Sequence, residues 1–232
     1  MPGPLIEFEQ VSKSYRTALG RPRIRVFTDV SLQLGRHEIV GLTGPSGCGK
    51  STLLRMFFGL TDWQAGRIRY RGTDLAGLRR AERRLIHREV QVVFQDPRNA
   101  FNPRWLLRRS LTEPLRLFKL AGANHAQQIA GQLASLGLED GLLDRYPHQL
   151  SGGQLQRLAL ARCLVVFPRC LLLDEASSML DLSVQAQMMT LIRRLHAEQG
   201  VSVLLISHDH DLVAAMSQRS YRFVGGRVVE QP

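Results

Sequence analysis

The run Gly44-Pro45-Ser46-Gly47-Cys48-Gly49-Lys50-Ser51-Thr52 has the spacing G-x-x-x-x-G-K-[ST]. It lies between an apolar stretch, Glu38 to Thr43, and a stretch with helical apolar spacing, Lys50 to Gly59, and that strand-to-helix context gives the motif its meaning. The glycines let backbone N–H groups turn inward around phosphate oxygens, and the following helix adds its positive N-terminal end. Lys50 supplies a point charge for the β- and γ-phosphates of a nucleotide, and the Ser51 hydroxyl is placed to ligate Mg²⁺. Mg²⁺ on phosphates also calls for a carboxylate at the end of a neighbouring buried strand. Cys170-Leu171-Leu172-Leu173-Asp174-Glu175 provides one: Asp174 for the ion, directly or through water, and Glu175 to polarise an attacking water as general base. Cys48, beside the helix start, is either a thiol of lowered pKa or a small loop residue. His208 and His210 have no third ligand nearby in sequence and are not read as a metal site.

These groups need strands and helices to position them. Apolar runs at Leu5 to Val11, Val26 to Leu34 and Glu38 to Thr43 predict three strands, followed by strands at Arg67 to Arg71 and Val90 to Phe94. From Pro97 the pattern changes: Leu106 to Lys119 and His125 to Leu136 carry helical spacing with no strand between them, so about 96–157 reads as an inserted helical lobe. Strands at Cys170 to Leu173, Val201 to Ile206 and Tyr221 to Val224 follow, with a helix from Leu182 to Gln199 stopped by Gly200. Such β/α alternation predicts an α/β fold with a mainly parallel sheet and ligands at the C-terminal ends of its strands.

The bulk numbers agree. At 232 residues and 44% hydrophobic composition the chain can bury a core. No apolar run approaches the roughly 20 residues of a membrane-spanning helix, and Met1 to Glu9 does not read as a secretory signal, which points to the cytoplasm. Cys48, Cys163 and Cys170 form no C-x-x-C pair, against a disulfide framework or a zinc site. Net charge is +11 and almost wholly arginine, with lysine only at positions 13, 50 and 119; this admits nucleic acid, an anionic membrane or anionic small molecules as partners. Arg79, Arg80, Arg83, Arg84 and Arg88 form a basic helical segment, read as solvated surface, with a lipid- or partner-facing patch as the alternative.

Leu150-Ser151-Gly152-Gly153-Gln154-Leu155-Gln156-Arg157, lying between the phosphate loop and the Asp174-Glu175 strand end, resembles the signature of the ABC ATPases, and the resemblance covers essentially the whole chain. In physical terms Ser151, Gly152 and Gly153 open a helix and present a second anion-binding surface with Gln154. The family implies a P-loop NTPase, RecA-like core with an antiparallel β subdomain, the whole of 1–232 forming one ATP-binding domain. It also implies that Tyr15 stacks on adenine, that Gln95 reaches Mg²⁺ and the attacking water, that His208 contacts the γ-phosphate, and that Asp181 lies at a dimer interface. Two subunits would face head to tail, each ATP lying between Lys50 of one and Ser151 of the other.

The stretches Phe94-Gln95-Asp96-Pro97-Arg98-Asn99-Ala100-Phe101-Asn102-Pro103 and Asp181-Leu182-Ser183-Val184-Gln185-Ala186-Gln187 resemble the peptide/nickel importer ATPases, and Asp174 to Asp181 looks most like the second ATPase of nickel importers. Ala176 and Met179 depart from the Pro and Ala of many relatives. The implied cofactors are ATP and Mg²⁺. The implied partners are two membrane permeases, docking at about 97–118, a sister ATPase or a second copy, and an extracytoplasmic substrate-binding protein, at the cytoplasmic face of the inner membrane. A nucleic-acid-linked ABC ATPase is the alternative. The 55 residues between Gln95 and Ser151 leave no room for a long coiled coil, and the chain holds a single cassette, so no nucleic acid is expected.

Overall fold

The computed structural model describes residues 3–16, 24–120, 125–177 and 180–231. Met179, one of the two departures noted above, lies outside them. In chain order the elements are β1 (Ile6–Tyr15), β2 (Ile24–Leu34), β3 (Ile39–Thr43), α1 (Lys50–Phe57), β4 (Ala65–Tyr70), β5 (Thr73–Asp74), α2 (Arg80–Glu89) and β6 (Val90–Val93). Then come α3 (Leu107–Leu117), α4 (His125–Ser135), α5 (Gly152–Leu164), β7 (Cys170–Asp174), α6 (Leu182–Gln199), β8 (Ser202–Ile206), α7 (His210–Met216), β9 (Arg219–Val224) and β10 (Arg227–Gln231).

Strands β3, β7 and β8 are buried at every position, as the central strands of a sheet covered on both faces must be. The six-stranded sheet has the order β10-β9-β3-β8-β7-β6 and is parallel except for the β9–β10 pair. Side chains alternate across it, so one strand serves two cores. Leu171, Leu173, Val203 and Leu205 pack with Leu158 of α5 and Ile192 of α6. Cys170, Leu172, Leu204 and Ile206 pack with Leu53 and Phe57 of α1 and with Phe8 and Ile68 of a second sheet. That second sheet is antiparallel, with the order β2-β1-β4-β5.

Between β6 and β7 the described residues form helices and short 3₁₀ turns and no strand. Leu107, Leu111 and Leu115 of α3 are buried at i, i+4 and i+8, against Ile129 and Leu133 of α4 and Leu155 of α5. Three elements are additional to those expected from sequence: β5, α7 and β10. The two-residue turn Gly225-Gly226, with φ of 57° and 77°, folds β10 back on β9.

Register fixes the site. Leu42 of β3 and Asp174 of β7 are both level with Ile206 of β8, and Val93 of β6 is level with Leu173. The segments that follow these four strands therefore leave the same edge of the sheet, and they carry the phosphate loop, Gln95, Glu175 and His208.

Candidate nucleotide site

The phosphate loop turns at Gly44, Gly47 and Gly49, with φ of 153°, 77° and 110°. Two of the three are also crowded. A Cβ on Gly44 would lie 2.7 Å from Cβ of Phe223, and one on Gly49 would lie 2.6 Å from Cδ1 of Phe27. Neither position admits a side chain. Thr52 and Leu53 N–H groups bond back to Gly49 O, and Cys48 N–H to Pro45 O. The N–H groups of Ser46, Gly47, Gly49, Lys50 and Ser51 have no acceptor among the described residues, which leaves a fan of donors at a helix start.

Lys50 is 5% exposed, and its Nζ donates to Gly44 O at 2.7 Å and Pro45 O at 2.9 Å. The same ammonium lies 3.9 Å from Glu175 Oε1. Glu175 Oε2 lies 3.0 Å from His208 Nδ1. Asp174, 2% exposed, lies beside Ser51, and its Oδ1 is buried without a partner. Burial holds the Asp174 carboxyl above its ordinary pKa and adjacent Glu175 adds to this; Ser51, Arg55 and Lys50 pull the other way. Arg55, one turn into α1 from Lys50, was not singled out from sequence, where an exposed basic residue in a helix carries no signal.

An oxygen buried without a partner beside a serine hydroxyl is a fit for Mg²⁺, which takes one or two protein oxygens and completes its shell with phosphate and water. Among the described residues no group of three or more His, Cys, Asp and Glu side chains is placed to hold a metal ion. Gln95 is exposed just past β6, two positions after Val93. Tyr15 ends β1, 41% exposed, with Lys13 Nζ 4.7 Å from its ring centre; Lys13 itself is buried and paired with Asp62.

The remaining candidates stand apart. Ser151 caps α5: its hydroxyl accepts from Gln154 N at 3.2 Å, and Gln154 Oε1 accepts from Ser151 N at 3.1 Å. Asp181 caps α6, accepting from Val184 N at 2.9 Å, beside Leu182, which is 85% exposed. No hydrogen bond or ion pair among the described residues links Ser151–Gln154 to the phosphate loop. A Cβ on Gly152 would meet nothing within 4 Å, so nothing among the described residues demands a glycine there.

The basic segment read as solvated surface forms α2, of which no residue is buried. Only part of it is plain surface. Arg80, Arg83, Arg84 and Arg88 line a groove shared with α3, and Arg83 donates to Leu75 O at 2.8 Å.

Comparison with known proteins shows the family. The family profile described as "ABC transporter" matches residues 27–178. The nickel import ATP-binding protein NikE of Escherichia coli O6:K15:H31 is 46% identical over 206 residues, 88% of this chain and 77% of that protein. A probable peptide ABC transporter ATP-binding protein of Sinorhizobium fredii is 39% identical over 236 residues, 99% of this chain and 67% of that one. Among solved structures, the dimeric bacterial ABC transporter cassette MJ0796 superposes with a TM-score of 0.88 at 30% identity over 97% of both chains, as does its post-hydrolysis form bound to ADP and Pi. No helix among the described residues is long and apolar enough to cross a membrane. The chain belongs to the ABC transporter family, as one of its ATP-binding, ATP-hydrolysing subunits.

Proposed function

We propose that the chain powers an importer of nickel, of metal chelates or of peptides, working from the cytoplasmic face of the inner membrane with two permease subunits, a second ATPase copy or sister, and an extracytoplasmic substrate-binding protein. The names of its relatives support the cargo class. The observation that carries the chemistry is the cluster of Lys50, Asp174, Glu175 and His208 at one sheet edge, with Asp174 Oδ1 left without a partner.

In this reading the free amides of the phosphate loop and Lys50 hold the β- and γ-phosphates, and Ser51 and Asp174 hold Mg²⁺, with Gln95 completing the set as the helical lobe of about 96–157 moves. Bound Mg²⁺ neutralises charge that develops on the phosphate oxygens. Glu175 takes a proton from the attacking water, and His208 fixes its carboxylate and reaches the γ-phosphate. Tyr15 offers its exposed face to adenine.

A phosphate loop and a serine-capped helix that do not meet within one chain make a whole site when two chains pair head to tail. The second chain then brings Ser151, Gly152, Gly153 and Gln154 onto the γ-phosphate and Asp181 across the interface. A glycine at 152 with empty space around it fits close approach by a ligand from outside the chain. Loss of γ-phosphate contacts on hydrolysis releases the pair. The test is ATP turnover of the purified chain, with and without a sister subunit, beside the Glu175→Gln variant, with size-exclusion chromatography in MgATP. No turnover and no pairing under either condition would sink the reading.

A further inference from the structure

At the sheet edge opposite the phosphate loop, where the chain enters β3, β7 and β8, lies a pocket of about 330 Å³. That is the lower end of the range that encloses a small ligand. Arg36 and His37 form the turn between β2 and β3, Arg71 follows β4, and Phe167 and Arg169 lie between α5 and β7; all five line it. None of the described residues that line it is an Asp or a Glu.

The cations there outnumber their partners. Arg71 and Arg169 share one carboxylate, Glu89, at 3.3 and 3.5 Å, longer than the roughly 2.7–2.9 Å of a charge-assisted hydrogen bond. Glu89 is further engaged by the Tyr70 hydroxyl at 2.6 Å. Arg71 Nε is buried with no acceptor, which costs free energy that an anion would return. Arg36 makes no ion pair among the described residues. Helix α6 ends at the pocket, with Gln199 and Gly200 in the wall, and its partial negative charge accounts for one nearby cation but not for three.

The wall is fixed by bonds and packing. His37 N–H donates to Ser202 Oγ at 2.9 Å, and the His37 ring fills the space that a Cβ on Gly200 would take. Phe167 is 58% exposed on a left-handed backbone, φ 52°. His37 and Arg71 hold the same conformation, so three of the seven such non-glycine residues described in the chain line this one pocket. Backbone strain of this kind gathers at ligand sites.

We infer that this pocket binds a small phosphomonoester with a flat apolar body, its phosphoryl oxygens on the guanidinium groups of Arg36, Arg71 and Arg169 and its ring against Phe167. Guanidinium forks match phosphoryl oxygens, and the exposed ring beside them matches an aromatic or planar group on the same molecule. Because the pocket lies at the other edge of the sheet, its ligand is not the nucleotide being hydrolysed, and both sites fill together.

The test titrates the full chain, its nucleotide site saturated with Mg²⁺ and a non-hydrolysable ATP analogue, with phenyl phosphate, inorganic phosphate or phenol, followed by NMR. Phenyl phosphate is expected to bind about fivefold more tightly than inorganic phosphate, the effect of one aromatic stack, and phenol not to bind. Arg36→Gln and Arg71→Gln are each expected to weaken both phosphates about tenfold, the effect of one hydrogen bond to a charged group. Phe167→Ser is expected to remove only the preference for phenyl phosphate. Unchanged affinity for the ATP analogue shows that each variant is folded, and Arg36 has no ion pair to lose. Equal binding of the two phosphates by the wild type overturns the inference, as does phosphate affinity that neither arginine variant changes. Binding to phosphatidic acid vesicles, lost in Arg36→Gln, without binding of either soluble phosphate overturns the free ligand in favour of a lipid headgroup.

Discussion

Glu175 and His208 meet across the ends of β7 and β8, with 3.0 Å between Oε2 and Nδ1, and the other oxygen of Glu175 lies 3.9 Å from Lys50 Nζ. Glu175 holds a left-handed backbone, φ 49°, which costs a non-glycine residue on the order of 1–3 kcal/mol. Its N–H bond to Ile206 O, 2.9 Å, helps keep it there. The carboxylate is thus aimed by a strained peptide, with cationic or hydrogen-bonding groups on both oxygens.

Glu175→Gln is close in shape and removes the carboxylate proposed as the base. Turnover is expected to fall by about 10²–10⁴-fold while MgATP still binds, so that an ATP-bound dimer accumulates in size-exclusion chromatography. Undiminished hydrolysis by the variant would assign the proton transfer to another group.

Asp174 gives a pH dependence whose sign follows from its burial. The folded protein holds the Asp174 proton more tightly than the unfolded chain does, because burial raises the carboxyl pKa. Its stabilising contribution is therefore full below the unfolded value and is lost as the pH rises through the raised one. Mg²⁺ requires the ionised form, so the metal-dependent part of MgATP stabilisation is expected to grow over that same rise in pH and then level off. Asp174→Asn should flatten both trends: thermal melts with and without Mg²⁺ across the acidic range would show a metal-free protein at least as stable as wild type and a metal increment near zero. A full Mg²⁺ increment in the variant would remove Asp174 from the ion's shell.

The three thiols should separate under a thiol-specific reagent. Cys163 and Cys170 are buried, and burial pushes the Cys163 thiol up to about 12 and raises that of Cys170 as well. Cys48 is partly exposed, with Sγ 4.0 Å from Lys50 Nζ. One thiol per native chain is expected to react, with MgATP slowing it; three fast thiols would contradict the packing, and no effect of nucleotide would place Cys48 clear of the phosphates.

Two glycines should respond in opposite ways. Gly49→Ala forces a side chain into φ 110° and against Phe27, and about 1–3 kcal/mol of stability should be lost in a denaturant titration. Gly152→Ala meets open space at a helix start, where alanine is the better helix former, so the melting temperature should hold or rise. Yet in the proposed two-chain site MgATP-driven pairing and turnover should fall, because there the added methyl group would face the incoming ligand. A Gly152→Ala protein that is stable and fully active would dissolve the two-chain site.

The phosphate loop was legible because its meaning is local: three glycines, a lysine and a serine within nine positions, between a strand and a helix. Asp174 and Glu175 were legible for the same reason, at the end of an unbroken apolar run. The approach of His208 to Glu175 is not local, since it depends on β8 lying beside β7, an adjacency no spacing reveals. β10 was passed over although Gly225-Gly226 marks a hairpin, because three of the five residues of Arg227–Gln231 are charged or polar and the strand lies at the sheet's rim. α7 is only seven residues long, too short for periodicity to register. Arg79, Arg80, Arg84 and Arg88 of the basic segment are exposed, as charge on a helix predicts; that four of its arginines also line a groove depends on the neighbouring α3, which spacing does not reveal.

Lys50 Nζ donates to both Gly44 O and Pro45 O, so the outline of the phosphate loop is held by bonds within the chain. The ordering entropy of that loop is settled when the chain folds and is not met again at each encounter. A cycling motor gains from this, because successive nucleotides find the same cradle, and the free energy of binding is left for moving one subunit against another.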